Sequence, residues 1–190
     1  TRLPAMMPRM AKTRILVVGD THAYTWEEVH PGIRAAVAEA DIAVHCGDIV
    51  RFEVVDGFKA AAKRAIVVHG NSDPVELRQG LPYRERFEVD GVRIGVTHPS
   101  WAGPEFEPQV LRDDFPEGVD VILYGHLHYP IHQTIDGVFY LNGGQGYASF
   151  LVPCNVAWLT IEDGAYSGEI EAFTSAESAG FRTRTLYQPT

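Results

Sequence analysis

The 190-residue chain has only two cysteines, Cys46 and Cys154, and no apolar run of the roughly 18 residues that would cross a bilayer. Two thiols are too few for a disulfide framework and fit a reducing cytoplasm, and no contact with a membrane is expected. Positive charge is scarce as well: 16 Lys and Arg stand against 25 Asp and Glu, a formal net charge of −9. Such a balance repels nucleic-acid phosphates and excludes an extended, salt-sensitive grip on DNA or RNA; a small anion focused in one cationic pocket stays compatible with it. No Gly-x-Ser-x-Gly elbow is present to carry a nucleophilic serine. Residues 1–12 hold three Met and two Pro without the apolar core of a signal peptide, so a flexible tail is expected there, with Met10 an alternative start.

What is present describes an ordinary globular chain, 45% hydrophobic and 22% charged, long enough for one sizeable core. A single domain is expected over residues 13–174, and residues 175–190 carry no assigned role. In the first half strands alternate with helices. Arg14-Ile15-Leu16-Val17-Val18, Ile42-Ala43-Val44 and Ala65-Ile66-Val67-Val68 read as buried strands. Between them, residues 29–40 put Val29, Ile33 and Val37 on one helical face, with Pro31 in the first turn. Val54, Val55, Phe58, Ala61 and Ala62 mark a second helix, its outer face Glu53, Asp56, Lys59 and Lys63. The second half carries Asp-Gly pairs at 90–91, 136–137 and 163–164 between alternating runs, which predicts hairpins and a largely antiparallel arrangement. Two further strands are set among them, one ending at Thr97-His98 and one, Asp120-Val121-Ile122-Leu123-Tyr124, running into Gly125-His126-Leu127-His128.

The strand ends share one chemistry. They are Asp20 with His22, Asp48, Asn71, His98, and His126 with His128. All are oxygen or imidazole donors, suited to Mn, Fe, Zn or Ni and not to a thiolate site. Each Asp-x-His or His-x-His pair lies two residues apart, which puts both side chains on one face if the backbone stays extended. Seven ligands exceed one tetrahedral ion and suit two metals sharing a carboxylate, and Asp48, mid-series, is the candidate bridge.

In that order the blocks Asp20-Thr21-His22, Gly47-Asp48, Gly70-Asn71-Ser72-Asp73, Thr97-His98 and Gly125-His126-Leu127-His128 resemble the calcineurin-like metallophosphoesterase superfamily, and most closely its small bacterial and archaeal phosphodiesterases. The resemblance implies an α/β fold of two facing mixed sheets flanked by helices, a four-layer sandwich with the metal site at the carboxyl ends of the strands. It implies two divalent transition-metal ions, manganese first and iron, zinc or nickel as alternatives. Asp20, His22, Asp48 and His128 would hold one ion, and Asp48, Asn71, His98 and His126 the other. The expected activity is in-line attack of a metal-bridging hydroxide on a small phosphodiester, with Asp48, Asn71 and His98 at the catalytic centre. A phosphomonoesterase using the same site and a non-catalytic scaffold of the same fold are the alternatives, and a homo-oligomer stays open.

Proton donation to the leaving group is where the chain departs from its relatives. Many carry His at the position of Ser72, and a serine hydroxyl is far too weak an acid for that task near neutral pH. Many also follow the ligand at 98 with a second His, where this chain reads His98-Pro99-Ser100. His69, or the substrate itself, is a candidate to fill the gap; otherwise His69 is a structural residue facing the core. Arg51 is a candidate phosphate contact, or a solvated helix opener. Asp73 either fixes a ligand or its loop from behind, or caps a helix starting at Val75. Asn142-Gly143-Gly144-Gln145-Gly146 offers backbone N–H groups to substrate, and Trp101 and Phe106 offer a wall over the pocket or a piece of core.

Overall fold

Along the first strand, β1 (Thr13–Val18), alternate side chains enter different cores: Ile15 and Val17 face a second sheet, Leu16 and Val18 face helices, and all four are fully buried. This two-sided burial is why the strand reads as a continuous apolar run. The computed structural model describes residues 12–173 apart from 100, 102, 104, 150 and 151. The expectations for both tails, and Ser100, lie outside the described residues.

The first sheet also contains β2 (Ile42–His45), β3 (Ala65–Val67), β9 (Cys154–Glu162) and β10 (Ala165–Phe173), in the order β10-β9-β1-β2-β3. β1, β2 and β3 are parallel, joined by right-sized crossovers through α1 (Pro31–Glu39) and α2 (Phe52–Ala61). Pro31 opens α1 as expected, and His30 caps it, its Nδ1 accepting the Gly32 N–H at 3.1 Å. Ile33, Ala36 and Val37 of α1 and Val54, Val55 and Phe58 of α2 close over Leu16, Val18, Ala43 and Trp158. A short helix, α3 (Val75–Gly80), adds Leu77 to the same core.

The second sheet consists of β4 (Arg84–Val89), β5 (Val92–Thr97), β6 (Val121–Tyr124), β7 (Pro130–Ile135) and β8 (Val138–Gly143), in the order β4-β5-β6-β8-β7. All three Asp-Gly pairs form hairpin turns, with φ of 48° and 80° at Asp90-Gly91, 47° and 80° at Asp136-Gly137, and 52° and 77° at Asp163-Gly164. Both central residues are left-handed, the geometry that matches strand twist. The expectation of a largely antiparallel second half is corrected at the centre of this sheet, where β5, β6 and β8 run parallel. Asp-Gly specifies a local turn and carries no information about how one hairpin docks on the next.

The two sheets face each other across Ile15, Val17, Val44, Ile94, Val96, Leu123, Leu141 and Leu159. The outer layer on the second sheet is thinner than the helical layer on the first. There a 3₁₀ segment, Pro108–Asp114, with Leu111, Phe115 and Val119, covers Ile122, Tyr124, Val138 and Tyr140. Because β1, β2 and β3 are parallel in one sheet and β5 and β6 in the other, five carboxyl ends open on the same edge of the sandwich, where α/β sheets place their ligands.

Candidate metal centre

Among the described residues, nine non-glycine residues have left-handed φ. Three are the hairpin aspartates, and the other six are Asp20, His22, Asp48, Val50, His126 and His128, with φ from 46° to 87°. Each such position costs on the order of 1 kcal/mol and persists only where its surroundings hold it. The Asp-x-His and His-x-His spacings therefore do not act through an extended backbone, as the sequence suggested. The chain curls at each strand end, and the curl aims the side chains inward.

Two donor groups result. In the first, the ligand atoms of Asp20, His22, Asp48 and His128 all lie within 4.8 Å of one another. His128 Nε2 stands 3.3 Å from Asp20 Oδ1, and His22 Nε2 stands 3.7 Å from Asp48 Oδ2. His22 Nε2, which faces this centre, is buried without a hydrogen-bond partner. Burial alone would raise the Asp20 carboxyl, but the His128 hydrogen bond, the His98 and His128 charges and the His126 N–H outweigh it, and the group lies below the ordinary carboxylate range. His128 is raised in turn, first by its hydrogen bond to Asp20.

In the second group Asn71 Oδ1 is 2.9 Å from His98 Nε2 and 2.7 Å from His126 Nδ1. Both rings have their other nitrogen on a carbonyl: His98 Nδ1 at 2.7 Å from Cys46 O, and His126 Nε2 at 3.1 Å from Gly103 O. In the tautomer that donates to the carbonyl behind it, each ring would turn a lone pair towards Asn71 Oδ1, as metal ligands do. Adjacent ligands around an ion with bonds of about 2.1 Å stand roughly 3 Å apart. The donor set and its spacing thus fit a divalent transition metal, as the orphaned His22 nitrogen does in the first group. Asp48 faces both: Oδ2 looks to His22, while Oδ1 is 3.5 Å from His98 Nε2 and accepts the Ser72 N–H at 2.8 Å. His126 and His128, two apart in sequence, are thereby divided between the two groups.

The structure decides the Asp73 alternatives. Its carboxylate accepts four backbone N–H groups, from Asp48, Ile49, Val50 and Gly70, at 3.1, 2.7, 2.6 and 2.7 Å. It does not cap α3, whose N-cap residue is Pro74. It holds the left-handed turn that presents Asp48. The glycines before the candidate ligands have steric reasons: a Cβ at Gly70 would overlap the Asp48 carboxylate, and one at Gly125 would lie 2.9 Å from Asp20 Oδ2 and His98 Nδ1. Sequence reading missed Tyr147, whose hydroxyl is 3.4 Å from His128 Nδ1 and whose ring meets His22 edge-on. It also missed the Cys46 and Gly103 carbonyls. These are tertiary contacts with no local signal.

The remaining candidates take other positions. His69 turns away from the centre, its ring against Tyr83 and its Nδ1 near the Gly70 carbonyl at 3.4 Å. Arg51 is exposed and lies over the Tyr24 ring at 4.7 Å, outside the cleft lining. Gly144 and Gly146 spend their N–H groups on Asn142 Oδ1 and on the Gly19 and Asp20 carbonyls, so that loop braces β1 and does not offer those donors to substrate. Phe106 packs on His126 and Tyr124, while Trp101 is exposed. Cys46 is buried, and burial pushes its thiol well up, in keeping with a packing role. Ser72 is exposed on the rim of a cleft of about 490 Å³ that His22, Asp48, Asn71, Gly103, His126 and His128 also line.

A probable metallophosphoesterase of Methanocaldococcus jannaschii is 31% identical over 149 residues, covering 77% of this chain and 75% of the relative. A phosphodiesterase of the same organism is 26% identical, covering 70% and 83%. Among solved structures, wild-type Vps29 of Entamoeba histolytica complexed with zinc overlays with a TM-score of 0.72 at 19% identity, covering 92% of this chain and 98% of that one. The calcineurin-like phosphoesterase superfamily domain matches residues 13–164, and the chain, with its strand-end carboxylates, amide and imidazoles in that family's order, belongs to this superfamily.

Proposed function

We propose that the chain is a phosphodiesterase dependent on two divalent metal ions, hydrolysing a small phosphodiester. The observation that carries this reading is the position of Asp48, whose two oxygens face two separate donor groups. Asp20, His22, Asp48 and His128 would hold one ion and Asp48, Asn71, His98 and His126 the other. Divalent ions there supply a Lewis acid for phosphoryl oxygens and bring the pKa of a water towards neutrality. The side chains keep that charge in place: the carbonyls behind His98 and His126 fix their tautomers, and Asp73 fixes the Asp48 turn. Ser72 lines the cleft where it can donate a hydrogen bond to an ester oxygen without serving as an acid near neutral pH. Activity is then good on activated esters and poor on alkoxide leaving groups. A diester is favoured over a monoester because the described cleft lining contains no Lys or Arg to pair with a second phosphate charge. The phosphodiesterase of Methanocaldococcus jannaschii supports the same choice. Manganese is the first ion to load, and the two buried thiols suit a reducing compartment such as the cytoplasm.

The test is the ratio of initial rates on bis-p-nitrophenyl phosphate and p-nitrophenyl phosphate, with manganese and after chelation. Diester preference that chelation abolishes is expected. Monoester preference assigns a phosphatase, and absence of turnover with metal bound assigns a scaffold, a reading favoured by serine at position 72.

A further inference from the structure

A groove of about 410 Å³ adjoins the cleft, and Phe106, Glu107, Tyr129, Ile131, Gln133 and Ile170 contribute to its lining. One stretch of chain runs from the first depression into the second. His126, Leu127 and His128 line the cleft, and the chain continues directly through Tyr129, Pro130 and Ile131, which line the groove. Phe106 joins them from the segment after β5, its ring 6.1 Å from that of His126. Tyr129 is 46% exposed at this junction, one of few large apolar side chains left open among the described residues. Single exposed aromatics need no explanation. Tyr129 directly follows a candidate ligand, and Phe106 lines the same groove, so the groove presents two aromatic side chains to a planar ring.

We propose that this groove holds the organic substituent of the phosphoester, and that the substituent is an uncharged planar ring. The proposal rests on the metal-centre reading, which puts the phosphate in the cleft and its substituent towards Tyr129 and Phe106. Glu107 opposes a second anionic group there. Gln133 is exposed in the lining, and its amide donors and acceptor match the heteroatom edge of a ring. A simple aryl group and a nucleoside base share this chemistry.

The experiment uses the manganese-loaded full chain and calorimetry with three ligands that lack a cleavable P–O–C bond: methylphosphonate, phenylphosphonate and the 5′-deoxy-5′-phosphonate analogue of thymidine. Phenylphosphonate is expected to bind about tenfold more tightly than methylphosphonate, the scale of one ring stacked on aromatic side chains. Tyr129→Ala and the conservative Phe106→Leu should each reduce that preference towards unity. Tighter binding of the thymidine analogue than of phenylphosphonate assigns a nucleoside ester, and weaker binding a simple aryl ester, both within the proposed class. Equal affinity for methyl and phenyl ligands overturns the proposal, as does a preference that survives both substitutions or no binding by any of the three. Since no turnover is read, failure of the phosphodiesterase assay is a separate result from failure of the groove.

Discussion

The Asp73 carboxylate accepts the Asp48 backbone N–H at 3.1 Å and, with the same two oxygens, the N–H groups of Ile49, Val50 and Gly70. One buried side chain therefore ties the loop after β2 to the loop after β3, and these loops carry Asp48 and Asn71. Hydrogen bonds to a charged acceptor contribute about 1.5 to 3 kcal/mol each, and buried N–H groups left open cost about as much as they contributed. Asp73→Ala should destabilise the protein by at least about 3 kcal/mol and weaken metal binding as well, with Asp73→Asn between it and the wild type. Denaturant midpoints and manganese titrations measure the two effects. A midpoint unchanged in Asp73→Ala would contradict the tie.

His45 predicts an acid-sensitive fold. Burial lowers its pKa from 6.5 to about 4, and Gly47 N–H donates to Nδ1 at 3.3 Å, leaving the proton on Nε2 towards Thr21 Oγ1 at 3.1 Å. The folded group stays neutral where the unfolded one binds a proton, so its contribution is complete above pH 6.5 and is lost as pH falls to about 4. At about 1.4 kcal/mol per pH unit the loss reaches roughly 3 kcal/mol. Asp20, lowered from 3.8, loses its contribution only at still lower pH, and His128, raised from 6.5, loses its own as pH rises. Urea unfolding of the metal-free protein at pH 7 and pH 5 should show the drop, and His45→Gln should flatten it. An equal drop in the variant would assign the acid sensitivity elsewhere.

Ser72→His should raise turnover on diesters with poor leaving groups by tenfold or more and change little on nitrophenyl esters. General acids contribute about 10² to 10⁴ where the leaving group needs a proton. The position is exposed on the cleft rim, so an imidazole fits without repacking. Equal rates on an alkyl leaving group would show that proton donation is not what the site lacks.

Tyr147→Phe removes only the hydroxyl that stands 3.4 Å from His128 Nδ1. Loss of such a partner behind a metal-binding imidazole typically costs 10- to 100-fold in affinity. A weaker manganese isotherm with an unchanged unfolding midpoint is expected. An unchanged isotherm would leave Tyr147 a packing residue.

The strand ends were legible because the signals are local. An apolar run followed by Gly-Asp or Gly-His marks where a parallel strand stops, and Asp-Gly marks where a hairpin turns. β1 to β3 were read that way, and the structure brings the strand-end residues Asp20, Asp48 and His126 to one edge of the sandwich, with Asn71 and His98, which follow Gly70 and Thr97. What the sequence did not disclose depends on distant segments: the parallel pairing of β5, β6 and β8, the rotation of His69 onto Tyr83, and the use of the Gly144 and Gly146 N–H groups in bracing β1. The left-handed φ values at Asp20, His22, Asp48, His126 and His128 run against intrinsic preference. They are held by tertiary contacts such as those of Asp73, so a propensity-based reading extends the strand through them. Asp73 itself stood before a proline and a helix, which made a cap as reasonable as a tie.

The measurement closest to the central claim is the number of manganese ions bound per chain, by calorimetric titration, in the wild type and in Asp48→Asn. Two ions in the wild type and at most one in the variant, with diester hydrolysis lost alongside, are the predicted results. One ion in the wild type, or two ions and undiminished turnover in Asp48→Asn, would contradict a centre in which Asp48 is shared.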